Sequence, residues 1–169
     1  EEERAQYISN AFFLLFAGLL IFSIIYIPIA IVTKFEYSIL FIVYFITNYL
    51  AMFFQQVLRG LGKNVDYSIT GIISTLMQLL INIAMIRILY EKSILLATIV
   101  GSAIVVVYAL IRTRFIKYIN IKLISKNIVK KMLKYSLPLI PNQISWWFND
   151  TVGLYILRFF AGSSATRNN

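Results

Sequence analysis

KYSLPLIPNQISWWFNDTVGLYILRFFAG, residues 134–162, decides the fold. From Pro141 to Phe160 it holds 20 residues, which at helical rise reach about 30 Å, the thickness of a bilayer's hydrocarbon core. Pro138 and Pro141 fall at its start, where a missing N–H matters least, and Ala161-Gly162 supplies a helix stop. At helical spacing Asn142, Ser145, Asn149 and Gly153 lie within about 80° of one another, with Asp150 at the edge of the arc. A carboxylate and two amides at that depth are too costly to face lipid. This helix is therefore expected to line protein or a wet cavity.

Outward from this segment the same composition continues. The chain of 169 residues is 60% hydrophobic and 14% charged, against about 45–50% and 25% in soluble domains. Five blocks are long enough to span: residues 10–32, 38–58, 68–89, 94–111 and 137–160. The expected fold is all-α, a polytopic transmembrane bundle of five spans with a cytoplasmic interfacial amphipathic helix. With no cysteine and no histidine, disulfides, thiol nucleophiles, imidazole bases and zinc sites drop out, and no cofactor or metal is expected. The opening EEERAQ and the polar ending SSATRNN suggest a piece of a longer protein.

The net charge of +9 is sorted by membrane side, which argues against nucleic acid as the partner. With five alternating spans the N-terminus, the loop RGLGKNVD (residues 59–66) and the stretch 112–136 share one side. They hold 11 of the 16 cations, against Lys34, Lys92 and Arg167 on the other, so the basic side is expected to be cytoplasmic. Within the long stretch Lys122, Lys126, Lys130 and Lys134 recur every four residues beside Ile121, Ile124, Ile128 and Met132. That pattern predicts an amphipathic helix on the bilayer surface, and a joint between four spans and the fifth.

Two further spans carry polar lines. In the second, Tyr37, Tyr44, Asn48, Ala51 and Gln55 share one face; in the third, Gly71, Thr75, Gln78 and Asn82 do so. The fourth has small residues four apart, Ala97/Gly101 and Thr98/Ser102, suited to close helix contact. Single amides in membrane helices usually clasp a neighbouring helix, but lines along three spans suggest a hydrated wall. The expected lining is Asn48, Gln55, Gln78, Asn82, Asn142, Ser145, Asn149 and Asp150. Neutral amides and hydroxyls beside Tyr44, Trp146 and Trp147 suit sugars. Arg87 and Arg158 sit at matching outer depth, a possible pair for a phosphate, although helix-end arginines often snorkel.

Two segments resemble a known family. FFQQVLRGLGKNVDYSITGIISTL (residues 53–76) and KYSLPLIPNQISWWFND (residues 134–150) look like the Wzx-like polysaccharide flippases of the multidrug/oligosaccharidyl-lipid/polysaccharide exporter superfamily. The first is similar to that family's Arg-Gly-Leu-Gly-Lys loop, the second to the start of its second lobe. Where family members often place an aspartate–arginine pair after the tryptophans, this chain has Thr151–Leu154, with Asp150 alongside. The resemblance implies later helices of an N-terminal lobe over residues 1–115, an inter-lobe linker over 116–134 and the first helix of a second lobe over 135–169. It further implies a non-enzymatic transporter of the bacterial inner membrane. Such a protein passes undecaprenyl-pyrophosphate-linked oligosaccharide from the cytoplasmic to the periplasmic leaflet by alternating access, with polysaccharide polymerase or assembly proteins as possible partners. An exporter of drugs or small cations would favour an acidic cavity, and here only Asp150 supplies one. A membrane glycosyltransferase or polymerase would need carboxylates in a large loop, whereas the longest loop here has none. A purely structural subunit is the remaining alternative.

Overall fold

The computed structural model describes residues 2–34, 36–90, 92–146, 148, 149, 152 and 155. Among them every regular element is helical: α1 (Glu2–Thr33), α2 (Ser38–Gly60), α3 (Asn64–Leu89), α4 (Lys92–Thr113) and α5 (Lys126–Ser136), with short 3-10 turns at Phe115–Lys117, Ile121–Leu123 and Leu137–Leu139. Four of these, α1 to α4, are long and apolar enough to cross a membrane. Of the fifth expected span, residues 140–146, 148 and 149 are helical, and most of its second half lies outside the described residues. Helices α1, α3 and α4 begin earlier than the apolar blocks do, α1 and α3 by a full turn or more. Glu2 and Glu3 open α1 and Asp66 sits in the first turn of α3, where a carboxylate meets the positive end of the helix dipole.

The chain divides into two compact units, Glu1–Ile124 and Ser125–Asn169. In the first unit α4 lies between α2 and α3. Its buried positions Ala97, Gly101, Ser102, Val105 and Ala109 are mostly small, so the helix backbones approach closely. A methyl group at Gly101 would stand 2.8 Å from Gln78 Cγ and 3.3 Å from the Ser74 carbonyl oxygen. On the other side Phe54, Val57 and Leu58 of α2 form the core with Ala109 and with Phe115 from the turn after α4. The Phe115 ring meets Phe54 edge-on at 4.8 Å and Phe12 of α1 at 5.2 Å. Higher up, α1 joins α2 by ring stacking, Phe22 on Phe45 and Tyr26 on Phe41.

The basic stretch departs from the single amphipathic helix that its lysine spacing suggests. Only Lys126–Ser136 is α-helical; residues 115–123 are two 3-10 turns and connecting backbone. The reason lies at the start of α1. Ser9 and Asn10, both buried, hold the backbone of this segment. Ser9 Oγ donates to the Tyr118 carbonyl (2.8 Å) and accepts from the Asn120 N–H (3.0 Å). Asn10 Nδ2 donates to the Leu123 carbonyl (3.0 Å). Backbone groups engaged this way are not free to close helical turns, and burial of Phe115 fixes the segment's other end. Lys122 therefore belongs to the first unit, and the amphipathic helix begins at Lys126. Its lysines 126, 130, 131 and 134 occupy one half of α5, with Ile128, Val129 and Met132 on the other.

Candidate functional site

The polar line of α3 is split by its packing. Gln78 and Asn82 lie in the seam with α4. Gln78 packs its Cγ against Gly101 and donates from Nε2 to Ser74 Oγ at 2.8 Å. Asn82 Oδ1 accepts from Ser93 Oγ at 2.8 Å, and Ser93 is wholly buried. Gly71 and Thr75 of the same line are exposed. The Thr75 hydroxyl turns back to the Gly71 carbonyl of its own helix at 3.0 Å, a common way for threonine to satisfy itself in lipid.

On α2 the outcome is different. Asn48 and Gln55 are half-buried, and neither hydrogen-bonds another described residue. Their helix turns Ala51, Phe54, Val57 and Leu58 inward, and meets α1 through Phe41, Phe45 and Tyr49. At helical spacing the two amides fall on the flank between these sides, about 90–105° from the centre of the buried face. They form an unpartnered polar strip in a helix long enough to span a bilayer.

In the second unit Asn142, Ser145 and Asn149 are exposed, and the Ser145 hydroxyl donates to the Pro141 carbonyl at 2.9 Å. Asp150 and Arg158 lie outside the described residues, as does Gly153. Arg87 is exposed in the last turn of α3. Of the expected lining residues, the structure brings together Gln78 and Asn82 on one helix face and Asn48 and Gln55 on another.

A polar cluster that sequence reading missed stands at the end of the bundle where α3 begins and α4 ends. Asp66 Oδ1 accepts from Arg112 Nε at 2.9 Å and from the Tyr108 hydroxyl at 2.9 Å; Oδ2 accepts from Arg112 Nη2 at 3.3 Å. Lys63 Nζ donates to the Arg112 carbonyl, covering part of the negative end of α4. The sequence held part of the signal: an acid in one helix's first turn and a base in the next helix's last turn stand at the same level if the two helices pack antiparallel, and meet if both also face the shared seam. Sorting the cations by membrane side alone passes over it. Beside this cluster opens a cleft of about 890 Å³ lined by Glu2, Lys63, Arg112, Arg114, Lys117 and Tyr118 among others. Its rim residue Arg114 holds a left-handed backbone, φ 51°, which is where the chain turns from α4 to bury Phe115.

No protein-family model, curated protein or solved structure matches the chain.

Proposed function

We propose that this chain works in a transporter that carries lipid-linked oligosaccharide, of the undecaprenyl-pyrophosphate kind, from the cytoplasmic to the periplasmic leaflet of a bacterial inner membrane. A sugar headgroup cannot enter hydrocarbon because its hydroxyls would lose their hydrogen bonds. A conduit must offer neutral donors and acceptors that are not already spent on the protein. The observation that carries the proposal is the free strip Asn48–Gln55 on α2. An amide there has both a donor and an acceptor to give, and at bilayer depth an unspent one needs water or a polar ligand beside it. The resemblance of residues 53–76 and 134–150 to polysaccharide flippases names the cargo, and Tyr44 near this strip adds a flat face for a sugar ring.

The absence of cysteine from the sequence makes the test clean. Single cysteines at Asn48 and Gln55, in the full chain in membrane vesicles, should react with a membrane-impermeant thiol reagent faster than cysteines at Leu19 or Ile81. Cysteines at Gln78 and Asn82, held in the seam, should react slowly. Equal and slow reaction at Asn48, Gln55 and Leu19 would mean the strip is dry and would end the proposal.

A further inference from the structure

The cleft at the basic end of the first unit has a chemistry that the transport reading does not use. Among the described residues four cations line it, Lys63, Arg112, Arg114 and Lys117, and one carboxylate, that of Glu2. Asp66 takes up only part of Arg112, through Nε and Nη2, which leaves Nη1 available. Arg114 and Lys117 are exposed, and their side chains bond no other described residue. Lys63 covers the Arg112 carbonyl, so the negative end of α4 is partly masked where an anion would otherwise be repelled.

Two further observations bear on what fits there. The volume of about 890 Å³ falls within the range of small-molecule sites, about 300–1,000 Å³. The cleft also stands at the ends of helices long and apolar enough to cross a membrane, which is the level of lipid phosphates. Arg114 adds a third point. A left-handed backbone is costly for any side chain but glycine, and at this position the strained residue carries a guanidinium to the rim. Strain of this kind is often found where a side chain binds a ligand.

We infer that the cleft binds a phosphate group, with Arg114, Lys117 and the free edge of Arg112 as its donors. Guanidinium and tetrahedral phosphate match in geometry as well as charge, and two or three cations around one phosphate suit the doubly charged monoester best. The phosphate can be the headgroup of an anionic lipid or a free inorganic anion. The inference does not rest on the transport reading, because it concerns a different end of the helices and different residues.

The test uses the full chain in neutral detergent micelles, titrated with short-chain phosphatidic acid and, separately, with inorganic pyrophosphate. Substituting Arg114→Gln together with Lys117→Gln should weaken phosphatidic acid binding about tenfold, the loss expected when charge-assisted contacts are removed. Arg59→Gln, which removes an exposed cation from the end of α2 outside the cleft lining, should leave binding unchanged. Arg114→Gly removes the charge and relieves the backbone, so weaker binding in that variant cannot be put down to unfolding. Displacement of phosphatidic acid by pyrophosphate would identify a site for phosphate itself; binding that pyrophosphate does not displace would identify a lipid headgroup site. Undiminished binding in the cleft variants, or an equal loss in Arg59→Gln, would overturn the inference.

Discussion

The seam between α3 and α4 and the flank of α2 contain the same kind of side chain and treat it oppositely. Both present amides at the depth of a membrane-crossing helix. In the seam, Gln78 lies on Gly101 and Asn82 receives the hydroxyl of a buried serine. On the flank, Asn48 and Gln55 pair with no other described residue. What separates them is the neighbour. Toward α3, α4 offers Ser93, Ala97 and Gly101, small enough to admit an amide and able to bond one. Toward α2 it offers Ala109 within a cluster of phenylalanine, valine and leucine, which excludes polar groups and leaves the α2 amides to one side. A polar line in a membrane helix therefore has no meaning of its own. Its role is set by what the adjoining helix places opposite.

The strongest way to break this comparison is to close the seam from the α4 side. Gly101→Leu would force a Cβ to within 2.8 Å of Gln78 Cγ and 3.3 Å of a backbone oxygen. The side chain of Gln78 can swing away, but the Ser74 carbonyl cannot, so α3 and α4 must separate. Overpacking of this sort costs about 3 kcal/mol, to be measured as unfolding free energy in mixed detergent micelles. The matching control is Gly71→Ala, because a methyl there meets no atom within 4 Å. It should leave stability unchanged or raise it by up to about 1 kcal/mol through helix propensity. Equal losses at the two glycines would show that the seam has no special tightness.

How far the sequence reveals this arrangement follows from the same contrast. The all-helical class and the helices of α1 to α4 are legible because apolar length is a property of one segment at a time. That α4 approaches a neighbour closely is legible too, in the four-residue spacing of Ala97/Gly101 and Thr98/Ser102. Partner choice is not, since Asn48 and Asn82 look alike until the facing helix is known. The pairing of Asp66 with Arg112 spans 46 positions and requires knowing that α3 and α4 are antiparallel neighbours with a particular rotation. The lysine period across residues 122–134 misleads for a related reason. Ser9 and Asn10, more than a hundred positions away, take the backbone groups that the first turns of such a helix would need. Local period proposes a helix and a distant hydrogen bond overrules it.

A milder test works within the seam. The Ser93 hydroxyl shares its one proton between Asn82 Oδ1 and the Tyr90 carbonyl, and Ser93→Ala removes it with little change of volume. Hydrogen bonds between membrane helices average about 0.6 kcal/mol and reach about 1.7. The loss here should lie near the middle of that range, about 1 kcal/mol, because the site is fully buried and the Asn82 oxygen loses its partner. Unfolding free energy in the same micelles reads it directly. A loss below about 0.3 kcal/mol would reduce the Ser93–Asn82 contact to a by-product of close packing.

The smallest expected effect discriminates best. Asn48→Leu and Gln55→Leu remove groups that bond no other described residue, so none of the described hydrogen bonds is lost. Each should change stability by no more than about 0.5 kcal/mol, as for substitutions away from any specific contact, and the sign should favour the variant wherever the amide faced acyl chains. If the strip is a conduit wall, the same variants should slow movement of lipid-linked sugar across vesicles while leaving unfolding free energy where it was. A seam residue behaves the other way, losing stability first and activity only as a consequence. Should Asn48→Leu cost as much as Ser93→Ala, Asn48 has a partner after all, and the two regions obey one rule. Should stability hold and transport fall, polar groups at equal depth have been divided between holding helices together and handling what passes beside them.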